Sequence, residues 1–236
     1  LRTVADGVRL RERIGQAERV IVVGTGWIGC EAAASARMLD AQVTMISPDE
    51  YPLVRVLGPE VGRVFQGLHE ERGVDLHLST GVEAVVGADR AEGVRMSGGA
   101  VIEGDLVLIA VGAVPRDELA RAAGIEVDNG IVVDEFLQSS DPRIFAAGDV
   151  ANAWHPVVGA RLRVEHWDSA IHQGLAAAAN MLGQSQAYTK LPFFYSDQYE
   201  FGMEYRGHGA PSDQVAFRGD PASREFLAFW LREGRV

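Results

Sequence analysis

The chain has 236 residues, 47% hydrophobic and 23% charged, with a formal net charge of −11. That length holds one large domain or two small ones, and the acidic excess argues against nucleic acid and anionic lipid as main partners, though a small local basic patch is compatible with it. The apolar runs are strand-sized, well short of the roughly 20 residues of a membrane helix, and no basic start with an apolar core marks a signal peptide, so the chain reads as cytoplasmic with no membrane partner.

The elements follow in chain order. Residues 1–18 predict an amphipathic helix with Val4, Val8, Arg11 and Ile14 on one side. Val20, Ile21, Val22 and Val23 make a buried β-branched strand, followed by a glycine turn and an alanine-rich helix to about Leu39. The spacing of Ile28, Ala32, Ser35, Ala36 and Leu39 predicts the buried face of that helix. Val43 to Ile46 reads as a second strand, 47–57 as a loop with Pro48 and Pro52, and 59–72 as a helix stopped by Gly73. A third strand spans 74–78. Residues 81–103 show three short β-like pieces divided by turn residues, the pattern of an antiparallel meander. The continuous apolar run 106–111 predicts a buried parallel strand. Beyond Pro115 come a short helix at 117–123, a strand at 130–133, a strand at 144–150 running into a glycine turn, and a long helix at 165–182. From Leu191 the text turns aromatic, glycine-broken and strand-like.

The expected fold is therefore α/β: a Rossmann-like βαβ sheet with an inserted antiparallel meander, a second α/β unit, and the start of an antiparallel region. Both ends read as cut. The first residue is Leu, and the chain stops just after the strand-like 226–231 and the turn-like 232–235, so it reads as a piece of a longer protein.

Gly24, Gly26 and Gly29 form a GxGxxG motif between strand and helix, inside a βαβ unit. Gly24 allows the tight turn, Gly26 lets a pyrophosphate approach the backbone, and Gly29 allows close helix–strand packing. The helix mouth then offers N–H groups and partial positive charge to the anion. An acidic residue is expected at the end of the second strand to hold the ribose hydroxyls, and that position is Ser47. Asp49 and Glu50 follow and could take that role. Arg55 could pack on the adenine or bind a 2′-phosphate, so NAD is favoured over NADP without NADP being excluded. Glu31, on the first turns of the helix, can accept from a carboxamide or simply complement the helix dipole. Cys30 is the sole cysteine and reads as a packing residue, so there is no disulfide, CxxC pair or thiolate metal cage. His69 and His77 lie far from any metal-ligand pattern, and no metal is expected.

Together with later stretches, the glycine turn resembles the FAD-dependent NAD(P)H:ferredoxin reductases that serve bacterial oxygenases (putidaredoxin, rubredoxin and biphenyl-dioxygenase ferredoxin reductases). The matching stretches are 22–31, including Trp27, Ile28 and Glu31; 111–115, including Gly112; 130–134 with 144–149; 163–170; and Tyr195-Ser-Asp-Gln-Tyr199. The resemblance implies an NAD(P)-binding domain at 1–113, the C-terminal half of a split FAD domain at 114–190, and part of a C-terminal interface domain at 191–236. The family's first FAD glycine motif would then lie upstream of Leu1.

By position, Gly148 and Asp149 would meet the ribityl or phosphate part of FAD, and Trp167, with Glu165 and His166 before it, the flavin ring. Glu31 would lie by the nicotinamide amide and Arg55 near the adenosine. The implied activity passes electrons from NADH through FAD to a [2Fe-2S] ferredoxin or rubredoxin-like acceptor. The rivals are a flavin-dependent NADH oxidase, a peroxide or disulfide reductase, and a nicotinamide-nucleotide-binding piece that is inactive in isolation and holds no flavin. Oligomeric state is left open, as is the functional or structural role of His166.

Overall fold

The structure, a computed structural model, describes residues 1–210 and 212–236. The chain divides into two compact units. The first comprises Leu1–Gly112, Ser196–Gly202 and Gly209–Val236, and the second Ala113–Tyr195 and Met203–His208.

The first unit begins with α1 (Val4–Gln16), whose N-terminus is closed by reciprocal bonds between Thr3 and Asp6. Only Ile14 of the expected apolar stripe is buried; Val4 and Val8 are exposed. Next come β1 (Arg19–Val23), α2 (Trp27–Met38), β2 (Gln42–Ile46), α3 (Val54–Glu71) and β3 (Val74–His77). The meander β4 (Val82–Val86), β5 (Gly93–Met96) and β6 (Val101–Glu103) is antiparallel as its turn residues require, and β7 (Leu106–Ile109) returns to the main sheet. That sheet has the order β3-β2-β1-β7 and every pairing in it is parallel. Ile21 and Ile46 on its face pack with Val94 of the meander, with Val23, Val82, Met96, Ile102 and Val107 around them. Full burial of each aliphatic side chain contributes about 1.5–3 kcal/mol, which makes this the anchor of the meander.

Besides the stripe of α1, three expectations for this unit need correction. The buried face of α2 is Gly29, Cys30, Ala33, Ala34 and Ala36, while Ile28 is 60% exposed. Gly29 sets this rotation: a Cβ there would lie 2.2 Å from the Gly24 carbonyl oxygen, so the small-residue face turns inward and Ile28 turns out. The helix expected from residue 59 gains a leading turn from Val54, divided from the rest by Gly58 at φ 77°, with Pro59 opening the longer segment. Finally, β7 is parallel but only half-buried, and Ile109 and Val111 are exposed.

In the second unit, α4 (Glu118–Ala122) leads to β8 (Ile131–Val133), then β9 (Ala151–His155), β10 (Ala160–Leu162) and α5 (Trp167–Met181). β8 and β9 run parallel and β10 returns antiparallel. The core joins Val133, Leu137, Ala146, Ala151, Ala153, Ala177 and Tyr188. The strand expected at 144–150 is absent. Ser139 N–H instead bonds Ile144 C=O and Ala146 N–H bonds Leu137 C=O around a tight turn, and Gly148 at φ 78° ends the extended run in a single 3-10 turn, Gly148–Val150. β9 escaped the reading because Ala151, Asn152 and Ala153 bury without any alternation, and β10, three residues long, is too short to show a period.

The aromatic tail forms antiparallel β11 (Phe193–Gln198) with β12 (Phe201–Arg206), and β13 (Gln214–Asp220) with β14 (Glu225–Leu231). Among the described residues no helix is long and apolar enough to cross a membrane. No group of three or more His, Cys, Asp or Glu among them could hold a metal ion.

Candidate functional site

The carboxyl ends of the neighbouring parallel strands β1 and β7 open onto the glycine turn. Gly24 is buried at φ 106°, and a Cβ there would sit 2.3 Å from the Ala110 carbonyl oxygen, so only glycine brings the turn this close to the end of β7. Its N–H donates to Ile46 C=O at 2.8 Å. Leu53, itself at φ 58°, donates its N–H to Thr25 C=O at 2.9 Å and clamps the turn from the other side.

Gly26 differs from both its partners. It is exposed, its φ of −76° suits any residue, and a Cβ there would meet nothing within 4 Å. It caps α2 without a side-chain bond, and the first intrahelical bond is Cys30 N–H to Gly26 C=O at 2.9 Å. Packing within the protein therefore requires Gly24 and Gly29 but gives no reason for Gly26. An open, side-chain-free helix mouth fits a dinucleotide pyrophosphate. Thr25 Oγ1, beside it, is buried without a hydrogen-bond partner among the described residues.

Around the turn, Trp27 is half-buried, its ring edge-on to Phe65, and Ile28 is exposed. Gly112, at φ 114°, is exposed at the end of the unit. Ser47 is buried, and its Oγ accepts from Asp49 N–H at 3.2 Å, which shapes the loop after β2. Asp49 then accepts from Arg55 Nε at 2.9 Å, leaving the acid–arginine pair at the more accessible position. Glu31 is half-buried, and its Oε1 accepts from Ser196 Oγ at 2.7 Å. Ser196 lies 165 positions away. Its only sequence signal was the 195–199 stretch. Cys30 is fully buried, and burial pushes its thiol well above the usual range, so it packs and does not react.

The second unit gathers Gly148, Asp149, Glu165, His166 and Trp167 at one corner. Gly148 N–H donates to the Oε1 of buried Gln173 at 2.8 Å, and its missing Cβ would lie 3.3 Å from Ala170 Cβ. Asp149 is exposed, and its carbonyl accepts from Arg163 Nη1 at 3.2 Å; that guanidinium also bonds Glu165 Oε1 at 2.5 Å. His166 caps α5, its Nδ1 accepting from Asp168 N–H at 3.3 Å. Burial lowers its pKa against the pull of Asp168 and Asp149, which keeps that nitrogen free to accept. Trp167 is 53% exposed. A positive-φ glycine, an exposed carboxylate, an exposed indole and a helix N-terminus together fit the ribityl–phosphate part and the ring of a flavin. Gln173 and Arg163 hold this corner in shape; Arg163 falls in the matching 163–170 stretch, whereas Gln173 gave no sequence signal.

His69 of α3 is fully buried, with its Nδ1 3.2 Å from Tyr199 Oη and its Nε2 3.0 Å from Gln198 Oε1. Burial lowers its pKa from 6.5 to about 4. Between those values the unfolded chain binds the extra proton, so this group's contribution is complete above the ordinary histidine value and is lost as pH falls towards the folded one. Lowering pH from about 7 to about 5 is expected to cost about 2 kcal/mol through this group. Denaturant titrations of the wild type and His69→Gln check this: the substituted protein should show a shallower loss, and equal slopes would refute it.

Residues 1–174 match the family model described as pyridine nucleotide-disulphide oxidoreductase, and residues 193–236 match the one described as reductase C-terminal. The chain is 40% identical over 244 residues to the anthranilate 1,2-dioxygenase system ferredoxin–NAD(+) reductase component of Burkholderia cepacia, covering 100% of this chain and 58% of that protein. It is 36% identical over 239 residues to putidaredoxin reductase CamA of Pseudomonas putida, covering 100% of this chain and 57% of that one. Among solved structures, a ferredoxin reductase from Rhodopseudomonas palustris superposes with a TM-score of 0.95 at 35% identity, over 99% of this chain and 58% of that one. The covalent putidaredoxin reductase–putidaredoxin complex gives 0.93 at 35% identity, over 99% and 57%. The chain thus spans a little under three-fifths of the length of these relatives, 57–58%. A model match over 1–174, on a parallel sheet whose glycine turn opens onto a bare helix mouth, places the chain in the pyridine nucleotide-disulphide oxidoreductase family.

Proposed function

We propose that the protein passes electrons from NADH through FAD to a small iron–sulfur protein, a [2Fe-2S] ferredoxin or a rubredoxin-like carrier of an oxygenase system, in the cytoplasm. The observation that carries the reading is Gly26, a glycine that the protein's own packing does not need, at the mouth of an uncapped helix. The names of the relatives supply the acceptor class.

In this reading the N–H groups at the start of α2, from Trp27 to Gly29, hold the pyrophosphate, and Gly26 gives it room. Glu31 accepts from the nicotinamide carboxamide. Asp49 and Arg55 take the adenosine end, with Ser47 shaping their loop. The Asp49 carboxylate favours NAD, because it would repel a 2′-phosphate. Ile28 and Gly112 border the same opening. Asp149 accepts from hydroxyls of FAD beside the bare Gly148 backbone. Trp167 lies on the flavin ring, with Glu165 and His166 shaping the start of α5, whose N–H groups stabilise negative charge there. Flavin, when bound, supplies the conversion of a two-electron hydride into single electrons. The residues only bind, orient and exclude water, so no side chain acts as a nucleophile.

The test is anaerobic mixing of the flavin-loaded protein with NADH. The visible flavin band should bleach, and adding ferredoxin should restore it, with two acceptor molecules reduced per NADH because a hydride carries two electrons. Turnover with oxygen but with no ferredoxin would favour an oxidase. Failure to bind NADH at all would overturn the reading.

A further inference from the structure

Four polar side chains run in a line through the first unit and end on Glu31. Tyr199 Oη lies 3.2 Å from His69 Nδ1, and His69 Nε2 lies 3.0 Å from Gln198 Oε1. Gln198 Nε2 lies 3.2 Å from Ser196 Oγ, which lies 2.7 Å from Glu31 Oε1. Ser196, Gln198 and His69 are almost wholly buried, with exposures of 2%, 0% and 0%. Buried polar groups cost stability unless every one is satisfied, and an apolar set of similar volume would pack as well. Their presence therefore calls for a role beyond packing.

Counting protons gives the line one direction. The serine hydroxyl has a single hydrogen, and the carboxylate beside it can only accept, so Ser196 donates to Glu31. Ser196 must then accept from its other neighbour, so the Gln198 amide nitrogen faces it and the Gln198 oxygen faces His69. His69 therefore carries its proton on Nε2, which leaves Nδ1 to accept from Tyr199 O–H. Each of the four side chains then has its donors and acceptors matched along the line. The opposite amide orientation would make Gln198 compete with Glu31 for the serine proton. The neutral imidazole this requires is the form that burial favours. The tyrosine stands at the tip of the β11–β12 hairpin with φ 59°, a conformation costly for a bulky residue, and Arg72 lies over its ring at 5.2 Å. The tip is thus held where the line can close.

We infer that Ser196, Gln198 and His69 are positioning residues: a one-way hydrogen-bond relay that holds Glu31 Oε1 and so presents Oε2, already oriented, to the nicotinamide carboxamide. This rests on the reading of Glu31 given above. A carboxylate fixed before binding loses little freedom when the nucleotide arrives. The relay therefore governs recognition of the carboxamide alone and leaves the pyrophosphate to the glycine turn.

The test is equilibrium titration of the protein with three probes: NAD, its 3-acetylpyridine analogue, which lacks the amide N–H, and ADP-ribose, which lacks the ring. Ser196→Ala should weaken NAD about fivefold, leave ADP-ribose unchanged, and narrow the gap between NAD and the analogue. His69→Leu should act in the same direction, and Ser196→Thr, which keeps the hydroxyl, should restore discrimination. If Ser196→Ala binds all three as the wild type does while Glu31→Ala loses discrimination, the relay is overturned and the Glu31 reading stands. If Glu31→Ala itself discriminates normally, the Glu31 reading falls and takes the relay with it. If Ser196→Ala weakens NAD and ADP-ribose equally, the serine is merely structural and the inference is overturned.

Discussion

Gly26→Asp is expected to abolish nucleotide binding while leaving the fold intact. The backbone at position 26 is extended, a Cβ there meets no protein atom within 4 Å, and aspartate is a better helix cap than glycine by a few tenths of a kcal/mol or more. Thermal stability should hold or rise slightly. The new carboxylate, however, would stand in the space proposed for the pyrophosphate and repel it. The expected loss in NADH affinity is about 100-fold or more, equivalent to about 2.7 kcal/mol. Gly29→Ala gives the opposite pairing of effects. Its Cβ would fall 2.2 Å from the Gly24 carbonyl oxygen, so strand and helix must part and the first unit should lose stability. Fluorescence titration with NADH and a thermal melt of each variant decide the matter. Unchanged NADH binding by folded Gly26→Asp would remove the basis of the proposed function.

Phe65→Ala is expected to cost about 3–5 kcal/mol of stability. Phe65 is 1% exposed on the inner face of α3, with its ring edge-on to Trp27 at 6.4 Å and to Phe201 at 5.7 Å between centroids. Truncation removes the ring that both neighbouring rings pack against and leaves a cavity between them. The melting midpoint should fall by about 10 °C. Because Trp27 opens α2, the loss should also loosen the helix mouth and weaken NADH binding. A drop under about 1 kcal/mol would show that the aromatic cluster repacks freely. Phe65→Leu should recover most of the stability, since it restores most of the volume.

Local pattern accounts for what could be read in advance. β1, the glycine turn and α2 are contiguous, and each is encoded by near neighbours: four β-branched residues, three spaced glycines, a run of alanines. The meander was legible for the same reason, because its turn residues punctuate it. Misreadings arose where burial ignores period. The inner face of α2 follows small size, since Gly29 must pass close to Gly24, and the hydrophobic spacing that pointed to Ile28 was misleading. β9 buries Ala151 and Ala153, too small to stand out.

The site divides in the same way. The bare helix mouth was written in the sequence, because a turn and a helix start are made by adjacent residues. The partners of Glu31 were not. Ser196 lies 165 positions from it, and Gln198 lies 129 from His69; a hydrogen bond between such distant groups leaves no periodic trace along the chain. Sequence alone determined that a side-chain-free turn opens onto the start of α2. Only the tertiary structure decided which way the carboxylate beside it is held, because only folding brings the β11–β12 tip against α2 and α3.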